Sequence, residues 1–174
     1  MIRKLSMTTK LLSFRGEVNF DGDAGTPGYR ASSAGSLLRR RWHLHDGQRE
    51  LAVISSARFA WNPAWQVSGA AGVFAIERRW LSMRRQYRIV GGPFDGATIA
   101  GNLLDLRFAI EIPGGTLARA AARLLTLRDK VEVEILRPDA ELTCVIAMLV
   151  VQIDRAREAR GAAADPRYEP VSPA

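Results

Sequence analysis

Hydrophobic positions along the chain recur as short alternating triplets. Val18-Asn19-Phe20, Trp42-His43-Leu44, Trp65-Gln66-Val67, Tyr87-Arg88-Ile89, Phe108-Ala109-Ile110 and Val131-Glu132-Val133 each set two apolar side chains around a residue that is mostly polar. Alternation of period two, built from aromatic and β-branched residues, predicts half-buried strands with one face towards a core and the other towards solvent. Turn formers separate the triplets: Asp21-Gly22-Asp23 with Gly25, Asp46-Gly47, Gly69 to Gly72, Gly91-Gly92-Pro93 with Asp95-Gly96, and Pro113-Gly114-Gly115. Glycine reaches positive φ without steric cost and proline fixes a corner, so these segments predict hairpin turns.

The triplets close longer repeats. Residues 10–20 (KLLSFRGEVNF), 79–89 (RWLSMRRQYRI) and 123–133 (RLLTLRDKVEV) share one template, residues 35–44 (GSLLRRRWHL) and 101–110 (GNLLDLRFAI) share a second, and residues 58–67 (RFAWNPAWQV) are a looser copy. The six units begin every 21 to 25 residues, and corresponding units of the two halves are offset by 69, 66 and 65 residues, the pattern of a duplicated three-unit block. Arg-Gly-Glu, Arg-Arg-Gln and Arg-Asp-Lys mark a second reversal inside units, giving two strands per unit and about twelve in an antiparallel meander. A sheet that long curls, and closing it removes its exposed edges. A barrel of that size is too wide to be filled by its own strand side chains.

The C-terminal segment supplies the filler. Pro138-Asp139 reads as a helix start, with Asp139 as N-cap and Glu141 in the first turn. From Leu142 the run LTCVIAMLVVQID is apolar on every side, as in a buried helix, and Arg155, Arg157 and Arg160 suit the last turns before Gly161 as the stop. The β-branched residues would also suit a strand, but the apolar and charged parts together exceed ordinary strand length. The expectation is a mainly β fold: a closed antiparallel barrel of about twelve strands (six hairpin repeats) around a central C-terminal hydrophobic α-helix. It forms one domain over residues 1–160, with a disordered tail over 161–174.

Composition narrows the class. With 174 residues, 47% apolar and 25% charged, the chain fits one globular core and excludes collagenous, disulfide-stapled and largely disordered classes. The single cysteine, Cys144, forms no internal disulfide, which points to a reducing compartment and a cytoplasmic location. Ser6, Thr8 and Thr9 interrupt the N-terminal apolar residues, so no signal-peptide core is expected. The longest apolar stretch, Leu142 to Val151, covers about half of a ~30 Å hydrocarbon layer, so the chain is not expected to be transmembrane.

The segments LLSFR, WLSMRRQYRI, GNLLDLRFAI, LLTLRDKVEVEI and VIAMLVVQIDR together resemble the LURP-one-related family over about residues 5–158. That family is similar in fold to tubby C-terminal domains and phospholipid scramblases. The resemblance implies a twelve-stranded barrel around a central hydrophobic helix. Tubby domains bind phosphoinositides, which makes lipid binding the implied activity class, and some plant members are linked to pathogen defence. No stretch matches the basic phosphoinositide pocket of tubby domains residue for residue, so no site carries over. The proline-rich arm and cysteine cluster of scramblases are also missing, which argues against scramblase activity.

Charge directs attention to arginine. Basic residues number 25 against 18 acidic, and 22 of the 25 are arginine. Arginine forks bind phosphate bidentately, although genomic base composition also enriches arginine without any role in binding. Arg39-Arg40-Arg41 and Arg84-Arg85, with Arg15 and Arg128 at the matching position, recur at the reversals within units. In a closed barrel these seven gather towards one rim, a candidate binding site for anionic, phosphorylated lipid head groups at a membrane surface. The bland alternative is that turns at a solvated rim tolerate arginine. A protein-interaction or structural module with no small ligand is the competing function, and nucleic-acid binding is less favoured.

Catalytic parts are few, and the chain is read as non-enzymatic, with no cofactor and no metal. His43 and His45 point to one side of a strand beside Asp46, but they alternate with core positions on a solvated face and leave a metal short of ligands. Cys144 falls in the buried helix as an apolar filler. Glu132 and Glu134 form a solvated strand face, and Gly91 to Gly96 is a turn that lacks the Lys-Ser/Thr of a phosphate loop. Trp61 and Trp65, around Asn62-Pro63, suit either core packing or contact with a membrane or partner.

Overall fold

A computed structural model describes residues 2–10, 16–22, 28–34, 41–57, 63–79, 86–102, 107–123 and 130–163. Twelve strands run in chain order: β1 (Arg3–Lys10), β2 (Glu17–Gly22), β3 (Tyr29–Ala34), β4 (Arg41–Asp46), β5 (Arg49–Ala57), β6 (Ala64–Gly69), β7 (Gly72–Arg79), β8 (Gln86–Val90), β9 (Thr98–Asn102), β10 (Arg107–Ile112), β11 (Gly115–Arg123) and β12 (Lys130–Ile135). Each pairs antiparallel with its neighbours in sequence, and β1 pairs with β12 to close the barrel. Closure leaves no free edge for another chain to extend.

Every alternating triplet falls on an even-numbered strand. Its outer members face the interior, as with Val18 and Phe20 on β2 or Val131 and Val133 on β12, while Asn19, His43, Gln66, Arg88, Ala109 and Glu132 face outwards. The odd strands supply Leu5, Met7, Ala31, Ala52, Ile54, Phe74, Ile76, Ile99 and Ala118 to the same core.

The duplication is visible in the strand positions. The first three strands of the two halves begin 69 residues apart (Arg3 and Gly72, Glu17 and Gln86, Tyr29 and Thr98), and the last three begin 66 apart (Arg41 and Arg107, Arg49 and Gly115, Ala64 and Lys130). The register of β4 on β5 shifts between Leu44 and His45, and that of β10 on β11 between Ile110 and Glu111. These are equivalent positions of the two halves. A bulge bends and twists its strand locally, so each half carries the same device for curving the wall.

Inside the barrel lies α1 (Glu141–Ala163), entered through a 3-10 turn over Pro138–Ala140. All twelve residues from Thr143 to Asp154 are buried, which a helix lying against one face of a sheet cannot achieve. Two expected boundaries move. Asp139 is not the N-cap: the 3-10 turn leading into α1 has Arg137 at its N-cap, without a side-chain cap, and Asp139 is the second residue of that turn, bonded to Arg137. Gly161 does not stop the helix, which continues to Ala163. Proline preferred at a first helical position explains the earlier start, because Pro138 opens the 3-10 turn. Of the expected tail, residues 164–174 lie outside the described residues.

Candidate functional site

Up-and-down topology gives the barrel two distinct rims. Odd strands start, and even strands finish, at the rim where α1 begins; Glu141 there receives Arg3 Nη1 of β1 at 2.6 Å and Tyr29 Oη of β3 at 2.5 Å. Burial, followed by the Glu141 hydrogen bond and charge, pushes the Tyr29 hydroxyl pKa well up. Three connections at this rim, Asp46 to Arg49, Gly69 to Gly72 and Ile112 to Gly115, are tight turns. Gly91 to Gly96 is a turn, as expected, closed by Gly91 N–H donating to Asp95 Oδ1 at 2.7 Å, with Phe94 folded inwards beneath Arg137.

The opposite rim is where α1 leaves. Asp154, only 4% exposed, accepts Tyr87 Oη of β8 at 2.6 Å and Arg78 Nη1 of β7 at 3.0 Å, and Glu158 meets the same guanidinium nitrogen at 2.5 Å. Burial opposes the charge of Arg78, but the two carboxylates outweigh it and hold its pKa above the ordinary value. The two ends of α1 are thus tied to opposite walls, β1 and β3 at one rim and β7 and β8 at the other.

Charge is divided unequally between the rims. Of the twelve strand ends at the exit rim, Lys10, Arg41, Arg79, Arg107, Arg123 and Lys130 are basic and only Glu17 is acidic. At the entry rim only Arg3 and Arg49 are basic, against Asp46. Arg41, Arg79 and Arg107 are exposed, and none of them makes an ion pair among the described residues. Past Asp154, α1 adds Arg155 and the exposed Arg157.

Of the seven arginines expected at a rim, Arg41 is described, at the first position of β4. Arg15, Arg39, Arg40, Arg84, Arg85 and Arg128 lie outside the described residues. The described strand ends on either side of them, Lys10 and Glu17, Ala34 and Arg41, Arg79 and Gln86, Arg123 and Lys130, all belong to the exit rim. Arg79, Arg107 and Lys130 were not singled out by the sequence. Their signal is positional: each is the last residue of an odd strand or the first of an even one, visible only once strand limits are fixed.

The remaining candidates resolve into ordinary roles. His43 Nδ1 meets Glu50 Oε2 at 2.6 Å and His45 Nε2 lies 3.9 Å from the same oxygen, so the acid facing the imidazoles is Glu50 across the β4–β5 turn rather than Asp46. Cys144 is fully buried on α1; desolvation first, and the nearby Glu141 and Asp139 carboxylates next, push its thiol pKa to about 12. A thiol that retains its proton is no nucleophile at neutral pH. Glu132 is exposed on the outer wall, and Glu134 lies beside it at 3.4 Å from Lys4 Nζ. Trp65 belongs to the core, with its ring 6.0 Å from that of Tyr87. Trp61 lies outside the described residues.

A closed meander of twelve strands with a helix through its centre and one basic rim defines a helix-plugged barrel protein. The sequence model of the LURP-one-related family matches residues 3–153, which is every strand and α1 as far as Ile153, and the chain belongs to that family. No curated protein and no solved structure matches the chain. No helix among the described residues is long and apolar enough to cross a membrane.

Proposed function

We propose that this protein is a non-catalytic cytoplasmic binding module that recognises anionic, phosphorylated lipid head groups at a membrane surface through its exit rim. The observation that supports the proposal is the unequal charge of the two rims. A basic residue held against an anionic surface contributes about 1 kcal/mol, so the exposed Arg41, Arg79 and Arg107 of this rim, with Arg157 of α1, suffice for reversible docking. A six-residue strand spans about 20 Å, more than two Debye lengths of about 8 Å, so the entry rim adds little and attraction fixes which end faces the surface.

Co-sedimentation with vesicles of graded phosphatidylserine or phosphoinositide content tests this. Bound protein should rise with anionic fraction and fall as salt is raised from 50 to 300 mM. Equal binding to neutral vesicles, or none at any composition, overturns the proposal. Capture of one stoichiometric protein without vesicle binding would support the protein-interaction alternative, and salt-steep binding to DNA or RNA the nucleic-acid one.

A further inference from the structure

The outer wall of the first half carries a shallow groove of about 430 Å³ across β4 to β7. Strand register resolves its lining into two rows. Arg41, Ser55 and Gln66 stand side by side on β4, β5 and β6, next to the exit rim, and Val53, Ser68 and Val73 form the next row on β5, β6 and β7. The serines are short where the flanking side chains are long, and that difference makes the wall concave. The four polar side chains form no ion pair or hydrogen bond among the described residues, and no acid lines the groove. Val73 is 73% exposed, the largest exposure of any large apolar side chain described.

The internal duplicate provides a comparison within the same molecule. At equivalent positions of the second half, Gln66 and Ser68 are replaced by Glu132 and Glu134, Ser55 by Ala121, and Val73 by Lys4, which pairs with Glu134 at 3.4 Å. That wall is charged, and Lys4 and Glu134 pair within it. The first-half wall has the arginine (Arg41, equivalent to Arg107), and no carboxylate among the described residues lines its groove.

We propose that this groove is a binding site for a phosphate ester bearing a small apolar group. The guanidinium of Arg41 with the hydroxyls of Ser55 and Ser68 and the amide of Gln66 supply donors for the three oxygens of a phosphate, more than a carboxylate can use. Val53 and Val73 flank the space one row, about 7 Å, further along, where the apolar part rests. The groove is separate from the rim as a whole and shares only Arg41 with it.

Hexyl phosphate, inorganic phosphate and phosphatidic acid vesicles test the site, read by amide chemical shifts or calorimetry on the full chain. Hexyl phosphate should bind more tightly than inorganic phosphate. Arg41→Gln should weaken it about tenfold or more, and Ser68→Phe, which fills the groove without changing charge, should abolish it while thermal unfolding remains unchanged. Loss in Ser68→Phe of any excess of phosphatidic acid over phosphatidylserine vesicle binding assigns a lipid as the source of the ester; loss of hexyl phosphate binding with that difference unchanged assigns a soluble one. Undiminished hexyl phosphate binding by Ser68→Phe, or equal affinity for inorganic phosphate, overturns the site. Salt-dependent binding to phosphatidylserine vesicles persists in Ser68→Phe if the rim acts as proposed, so failure of one claim is separable from failure of the other.

Discussion

Tyr87 Oη donates a 2.6 Å hydrogen bond to Asp154 Oδ2, joining the wall of the barrel to the helix inside it. Arg78 reaches the same oxygen, so a carboxylate on a nearly all-apolar helix is held by one neutral and one charged donor. Removing one partner from a buried pair costs about 3–5 kcal/mol, because the other is left desolvated. Asp154→Ala should therefore lose close to that amount in urea unfolding, and Tyr87→Phe about 1.5–3 kcal/mol. Arg78→Met combined with Asp154→Leu should recover much of the loss. An Asp154→Ala protein as stable as the parent would refute this anchor.

The driest part of the helix offers a coarser test. Ala147 and Val150 are fully buried, within the run from Cys144 to Val151 in which every residue is apolar and buried. An aspartate there must be desolvated unpaired or protonated, at a cost of several kcal/mol, comparable to the whole stability of a domain of this size. Ala147→Asp and Val150→Asp should each abolish cooperative unfolding by circular dichroism. A soluble, cooperatively melting variant would contradict a helix enclosed on all sides.

Two glycines should respond differently to alanine. Gly69 closes β6 at φ +152°, and a Cβ there would stand 2.1 Å from the Leu51 carbonyl oxygen, an atom fixed by the Ala70 N–H bond. Gly47 has φ +57° and open space around it. Gly69→Ala should cost well over 2 kcal/mol through displaced backbone, and Gly47→Ala about 1 kcal/mol through conformation alone. Thermal unfolding of the pair checks the order.

Stability should fall in alkali partly through Cys144. Its thiol pKa rises from 9.0 to about 12 on folding, so above pH 9 the unfolded chain releases a proton that the folded one retains. The contribution is complete below pH 9 and is lost as pH rises, with a slope of about 1.4 kcal/mol per pH unit up to the folded value. Cys144→Ala should flatten the decline of the urea midpoint between pH 9 and 10.5 by about one proton. An unchanged slope would contradict thiol burial.

The wall was legible in the sequence because its signals are short-range. A triplet such as Trp42-His43-Leu44 declares both strand and facing within three residues, and Asp46-Gly47 declares its turn within two. The anchor of Asp154 was not, because Arg78 lies 76 residues away and the run around Asp154 reads simply as the end of an apolar helix. Helix limits were misplaced at both ends, where capping patterns compete: Pro138 took the first position that Asp139 was expected to precede, and Gly161 was passed over in favour of two more helical residues. The candidate rim was legible as a location, through arginines recurring at the reversals. Its charge asymmetry emerges only from strand parity, which gathers Arg79, Arg107 and Lys130 from three different repeats at one end of the barrel.

The proposed docking of the exit rim is tested most directly by moving the same charge change around the molecule. One variant carries Arg41→Gln, Arg79→Gln and Arg107→Gln at the exit rim, and a second carries Lys4→Gln, Arg49→Gln and Arg119→Gln away from it. Each loses three positive charges, and both should remain folded. Vesicle co-sedimentation at 100 mM salt should fall at least tenfold for the first and little for the second; equal losses in both, or none in the first, would contradict a directed binding rim.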